Sequence, residues 1–304
     1  MPAPAKPAYR CVQGKLTPWL VWLWNARQEH AISDALTCWL LAESLVRELA
    51  RMTVMETEDQ PGARTPGVAA EEDEIPGLGE GGPSGELKLP FGDWLIDYGS
   101  PFVRVKYAEL FERAMGFAMF DETKVREAAR KHHEARHKKS HSESQPPHSE
   151  GGATQTPPQP WRTNDLSLVI NELFEEFAEK LIDPAKPTFV LDYPSAISPL
   201  TRPKESDPTI AERWDLFIGG MEIGPAYTEL NDPDIQEAKF REQLAGVDDE
   251  ESTFRTFDQD FIDALKVGMP PAGGLGLGID RLAMLLTGQR TIRDVLLFPM
   301  MRPV

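Results

Sequence analysis

Cysteine is scarce: Cys11 and Cys38 are the two in 304 residues. Two thiols are too few for a disulfide framework or a closed zinc site, and a reducing compartment fits them. Positive charge is also short. Thirty-two Lys and Arg stand against 49 Asp and Glu, a net charge of −17 and a pI near 4.8. That excludes wholesale wrapping of a phosphate backbone, which needs a basic surface, and leaves room for a local RNA contact. Long apolar runs are missing as well. The run Trp19-Leu20-Val21-Trp22-Leu23-Trp24 is far too short to span a bilayer. It is followed by Asn25-Ala26-Arg27-Gln28-Glu29-His30 rather than a small-residue cleavage site, so it makes a poor signal peptide. The expectation is a soluble, cytoplasmic protein with one large core.

What is present is concentrated in residues 268–304. A rigid Pro270-Pro271 turn opens the stretch, Gly274, Gly276 and Gly278 alternate with apolar residues, and an apolar helix follows to Gly288. Alternation at period two predicts a strand with one bare face. Glycine weakens a strand, so a bare face suits a flat ring lying against the backbone. Asp280 is expected to cap the helix, and Arg281 falls in its first turn, where free N–H groups favour an anion. A nucleotide suits both features. A dinucleotide-binding turn does not: it needs an apolar strand first and Gly-x-Gly-x-x-Gly spacing, and neither is here.

Earlier in the chain, residues 1–32 form an unassigned Pro/Ala- and Trp-rich leader. From Ser33 the pattern turns helical, with Ser33 or Asp34 as cap and Leu36, Leu40, Leu41, Leu45, Val46 and Leu49 as the apolar stripe. Residues 55–87 carry Pro, Gly and the acidic run Glu71-Glu72-Asp73-Glu74, the composition of a flexible insertion. Trp94, Leu95, Ile96 and Tyr98 suggest a strand, and Tyr107–Met115 and Asp121–Arg130 suggest helices. The His-, Lys-, Ser- and Pro-rich residues 131–160 read as a second flexible insertion. His133 and His137 share a helical face that could ligate a metal, yet no Glu-x-x-His frame accompanies them, and a solvated loop is the expectation. Leu166–Leu181 reads as an amphipathic helix. Leu168, Val169, Leu173, Phe174, Phe177 and Leu181 lie on its apolar face, Ile170 off it, and Glu172, Glu175, Glu176 and Glu179 toward water. Thr188–Pro194 reads as a strand.

Glu222 and Glu229 lie seven positions apart among Gly219-Gly220, Gly224-Pro225 and β-favouring residues. In a regular strand odd spacing sends them to opposite faces, and a bulge at Gly224-Pro225 would return them to one. Two such carboxylates either stay solvated or take a cation between them, and magnesium held with nucleotide phosphates fits.

Two segments together carry a family resemblance. Gly274-Leu275-Gly276-Leu277-Gly278-Ile279-Asp280-Arg281, with Arg293 to Pro299, resembles motif 3 of the class II aminoacyl-tRNA synthetases. Leu216 to Asp232, with Gly219-Gly220-Met221-Glu222-Ile223-Gly224 and Glu229-Leu230-Asn231-Asp232, resembles the lysyl branch. The resemblance implies an α+β fold, an antiparallel sheet flanked by helices over residues 33–304, incomplete at its N-terminal side. It implies activation of lysine with ATP and Mg2+, and transfer to tRNA(Lys). Arg281 and Glu229 fall on catalytic positions, and Glu222, Glu229, Gly276, Gly278 and Arg281 on ATP-contacting ones. Tyr227, Glu229 and Gly274 fall on amino-acid-contacting positions, and Glu222 and Glu229 on metal-contacting ones.

Departures from the branch are Pro225 where Asn is common, Asp215 where Glu is usual, and Lys266-Val267 where Glu-Tyr is common. Motif 1, which builds the family dimer, and motif 2, which supplies an arginine to the α-phosphate, have no match. The implied partner is therefore a homodimer mate or a chain supplying the missing half. The rival readings are a nucleotide-binding remnant without catalysis and a paralogue that lysylates a protein, as the elongation-factor P modifying enzymes do.

Overall fold

The computed structural model describes residues 35–58, 87–142, 166–244 and 257–299. Its centre is set by β-branched and aromatic runs that alternate in burial. Strands β3 (Val103–Lys106), β4 (Thr188–Leu191), β5 (Arg213–Ile218), β6 (Met221–Thr228) and β7 (Gly273–Leu275) form one sheet in sequence order. All pairings are antiparallel except β3 with β4. The expected α+β sheet is present, and the parallel strand β3 is an addition to it. Strands β1 (Lys88–Phe91) and β2 (Trp94–Asp97) form a separate hairpin. Among the described residues no helix is long and apolar enough to cross a membrane.

One face of the sheet carries Phe189, Trp214, Leu216, Ile218 and Ala226 into a core with the hairpin and with helices α1 (Ala35–Glu58) and α7 (Ile279–Thr287). In α1 the buried apolar residues are Cys38, Leu41, Ala42, Val46, Ala50 and Met52, so Leu41 and Val46 of the expected stripe face the core while Leu40 is 56 % exposed and small residues take its place. The proposed caps Ser33 and Asp34 lie outside the described residues. Helix α1 also takes in 55–58 of the first expected insertion; residues 59–86 are outside the described set.

The opposite face packs Val190 and Phe217 against α2 (Tyr107–Met115), α3 (Glu122–Ser142) and α4 (Leu166–Leu173). Helix α3 continues through Ser142, so residues 131–142 are helical rather than loop. His133 Nε2 meets Glu172 Oε1 at 2.8 Å and the His132 ring stands edge-on to Phe177, which docks α3 on α4. After Leu173 the helix loosens into a π-turn at Phe174–Ala178 and a 3₁₀ turn at Glu179–Leu181. A π-turn adds a residue to the repeat and so rotates every side chain after it. Val169, Leu173 and Phe174 are buried as expected, whereas Ile170 and Ala178 are buried and Leu168, Phe177 and Leu181 face outward against the expectation from an unbroken helix. Among the described residues, the helices packed on this face cover β3 to β5, and the part beside β6 and β7 forms a trough.

Candidate active site

The trough floor follows from strand register. Arg213 pairs with Tyr227 and Tyr227 with Gly274, while Asp215 pairs with Pro225 and Phe217 with Glu222. Side chains opposite one another in a ladder share a face. Arg213, Asp215, Glu222, Tyr227 and Gly274 therefore line one surface, with the side chains of Trp214 and Leu216 in the core behind it. The register shift lies between Leu216 and Phe217, which face Gly224 and Glu222, so the extra residue is Ile223 and not the Gly224-Pro225 pair. Ile223 turns into the core, and the parity change puts Glu222 on the trough face with Tyr227 and Glu229.

Glycine 224 serves another purpose. A Cβ there would lie 1.9 Å from Gly276 O, because the chain leaving β7 crosses directly over it. Strand β7 ends at Leu275, so the three alternating glycines divide their work. Gly274 lies beneath Glu229, Gly276 beside Pro225, and Gly278 caps α7. The expected cap, Asp280, sits instead in the first turn. Gly276 N donates to Pro225 O at 2.9 Å and Gly278 N to Ile223 O at 2.7 Å, fixing this exposed backbone strip along β6. Arg281 follows in the same turn, is exposed, and donates Nη1 to Glu222 O at 2.5 Å.

The carboxylate brought to Glu222 is Asp215. Asp215 is 3 % exposed and held by Arg213 through two bonds, Nε to Oδ1 at 2.9 Å and Nη2 to Oδ2 at 2.8 Å. Burial, then the charge of Asp215, raises the Glu222 pKa above the ordinary carboxylate range, against Arg213 and Arg281. On the trough wall the π-turn presents Glu175 and delivers Glu179. Burial, then Glu175, Glu222 and Asp215, push the Glu179 carboxyl up to about 7. Tyr193 completes the group: the Arg213 guanidinium lies 4.5 Å over its ring, and burial and Asp215 hold its hydroxyl well above the usual phenol range. Arg213 and Asp215, two apart on a strand, were legible as one face from period two. Glu179, expected in water, is carried inward by the π-turn.

Glu179 makes a pH prediction. Its folded-state pKa is raised, so between about 4.5 and about 7 the folded chain holds a proton that the unfolded chain has released. Stability from this group is present below 4.5, falls as pH rises through the window and is level above 7. Glu179→Gln is expected to flatten the decline. Urea midpoints at pH 5 and pH 7.5 for both proteins check it, and equal slopes would remove Glu179 from the coupled group.

Glu229 lies at the other end. It is half-buried, its backbone bridges Thr201 and donates to Ala272 O at 2.9 Å, and burial raises its carboxyl pKa. A Cβ on Gly274 would meet Glu229 Oε1 at 2.2 Å and Tyr227 Cε2 at 3.5 Å, so the missing side chain makes the seat for this carboxylate. Seven strand steps less one bulge put about 20 Å between the Cα atoms of Glu222 and Glu229. They stand at opposite ends of the trough.

Residues 28–302 match the family described as tRNA synthetases class II (D, K and N). Lysine–tRNA ligase of Leuconostoc citreum is 40 % identical over 219 residues, which are 72 % of this chain and 40 % of that protein. Lysine–tRNA ligase of Cronobacter sakazakii is 36 % identical over 237 residues, 72 % of this chain and 39 % of that protein. Lysine–tRNA ligase of Escherichia coli K12 is 37 % identical over 222 residues, again 72 % and 39 %. The matched region thus spans about 40 % of the length of these relatives. With the two-ended trough, the glycine strip and a match across most of its length, the chain belongs to the class II tRNA synthetases of the Asp, Lys and Asn group.

Proposed function

We propose that this chain carries the ATP- and lysine-binding part of a lysine–tRNA ligase acting in the cytoplasm, activating lysine with ATP for transfer to tRNA(Lys). The observation that supports the reading is the trough with the exposed Arg281 guanidinium at one end and the half-buried Glu229 carboxylate at the other. A lysine laid along β6 places its ε-ammonium against Glu229, where a charge-assisted bond forms beside Tyr227. Its carboxylate then points toward the Glu222 end. The adenine ring lies on the strip at Gly276 and Gly278, and the exposed Arg281 guanidinium takes the terminal phosphate. Pro225 brings no backbone or side-chain donor to the bound amino acid, so selectivity rests on Glu229 and Tyr227.

The residues at the phosphate end fit magnesium. Glu222 and Asp215 crowd one another, and with Glu175 and Glu179 leave negative charge that Arg213 and Arg281 do not offset. Magnesium is typically held by one or two carboxylates together with phosphates, and these two supply that number. Because Glu229 lies about 20 Å along the strand from Glu222, we assign the second metal contact to Asp215 rather than to Glu229. The bound ion supplies charge neutralisation at the phosphates. The chain's own residues do the positioning: Arg281, tied to Glu222 O, fixes one end and Glu229 the other.

The test is lysine-dependent exchange of pyrophosphate into ATP by the purified chain, with Glu229→Ala alongside. Exchange that needs lysine and disappears in Glu229→Ala is the expected result. ATP·Mg binding by a folded chain without exchange would reduce the assignment to nucleotide binding.

A further inference from the structure

Past Glu229 the trough opens into a chamber of about 420 Å³, within the range of small-ligand sites. It lies between the end of β6 and two helices, α5 (Pro233–Leu244) and α6 (Gln259–Val267). Its walls are apolar: Leu200, Leu230, Phe261, Leu265 and Met269. Two polar side chains also reach it, Glu229 and Gln236. Gln236 is fully buried and donates Nε2 to Pro199 O at 3.1 Å, while its Oε1 has no donor among the described residues. A buried amide oxygen without a donor is costly, and a water between Gln236 and a bound ligand would supply one.

The chamber is built rather than a gap between loose parts. Asp232 Oδ1 accepts from Asp234 N and Ile235 N at the start of α5, and Asp258 Oδ1 accepts from Phe261 N at the start of α6. Phe240 packs on Phe261 at 5.8 Å between ring centres, and Lys266 reaches Glu237 at 3.6 Å, joining the two helices. Asn231 Nδ2 holds Met269 O at 3.2 Å at the rim. An unbranched lysine with its ammonium at Glu229 stops at the entrance and leaves this apolar volume unused.

We propose that the chamber is a subsite for the apolar body of an organic ammonium ion, an alkyl- or arylalkylamine whose N–H groups bond Glu229. The proposal rests on Glu229 as an ammonium acceptor. The carboxylate of Glu229 and the hydrocarbon walls beside it select this class: a carboxylate is repelled by Glu229, and a small inorganic cation leaves the walls unfilled.

Calorimetric titration of the full chain with 2-phenylethylamine at pH 8, and separately with L-lysine, tests it. Ala264 is exposed at the mouth, so Ala264→Trp plugs the chamber without disturbing a core. The expected result is 2-phenylethylamine binding that weakens about tenfold or more in Ala264→Trp, for the ring burial lost, while L-lysine binding is unchanged. Glu229→Gln is expected to weaken both ligands about tenfold or more, for the charged bond lost. No binding of 2-phenylethylamine by the wild-type chain, or equal binding by Ala264→Trp, overturns the subsite. Should 2-phenylethylamine bind in an Ala264-dependent way while L-lysine does not bind at all, the chamber stands and the amino-acid reading of the trough falls.

Discussion

Replacing Arg213 with leucine is expected to destabilise the chain by about 3–5 kcal/mol, the usual consequence of removing one partner from a buried ion pair. Asp215 is 3 % exposed, and both of its oxygens are bonded by Arg213. Leucine keeps much of the hydrophobic stem and removes all the donors. It leaves a desolvated carboxylate beside Glu222, and it also removes the 3.1 Å bond to Ser198 Oγ and the cation over Tyr193. Water substitutes poorly, because Asp215 is 3 % exposed and its neighbour on this face is the Glu222 carboxylate. Urea denaturation measures the loss. The double replacement Arg213→Leu with Asp215→Leu is expected to recover most of it, since the stranded charge goes too. A loss below about 1 kcal/mol in the single variant would mean that Asp215 takes up its proton and needs no arginine.

That pair also shows what sequence can and cannot yield. Elements defined by period were legible: Thr188–Leu191, Tyr107–Met115 and the helix after Gly278 all appear where alternation or three-to-four spacing puts them. The glycine strip was legible as a bare surface, since few pressures other than close approach remove side chains at period two. A one-residue change of phase was not. The π-turn at Phe174–Ala178 and the bulge at Ile223 each insert a residue into a repeat, and apolar pattern alone does not show where. Both matter at the site: the π-turn carries Glu179 inward, and the bulge, expected at Gly224-Pro225 and found at Ile223, puts Glu222 on one face with Tyr227 and Glu229 as the expected bulge would. Pairings between distant segments were also hidden. Nothing in residues 103–106 announces a parallel partner in β4, and no local spacing joins Leu200 to Met269 across the chamber.

Gly224→Ala and Gly274→Ala are expected to separate fold from binding. At Gly224 the new Cβ would meet Gly276 O at 1.9 Å and Gly276 C at 2.9 Å, both backbone atoms. Those atoms cannot retreat easily, since Gly276 N and Gly278 N are bonded to Pro225 O and Ile223 O on either side. Overpacking of about 1–3 kcal/mol, with about 1 kcal/mol more for each bond broken, makes a total loss of about 2–4 kcal/mol. The strip carrying Gly276, Gly278 and Arg281 should lift from β6 with it. At Gly274 the clash is at 2.2 Å with Glu229 Oε1, the far end of a side chain that can rotate, and the next neighbours stand at 3.3 and 3.5 Å. Stability should change by less than about 1 kcal/mol, within the range of a substitution that strains nothing rigid. Lysine binding should nonetheless weaken about tenfold or more, because the carboxylate loses its seat and its charge-assisted bond. Urea unfolding and calorimetric titration with L-lysine on both variants distinguish the two effects. Lysine binding by Gly274→Ala at wild-type strength would show that the ammonium lies elsewhere than at Glu229, and with it the direction in which the substrate is laid along the strand would reverse or fail.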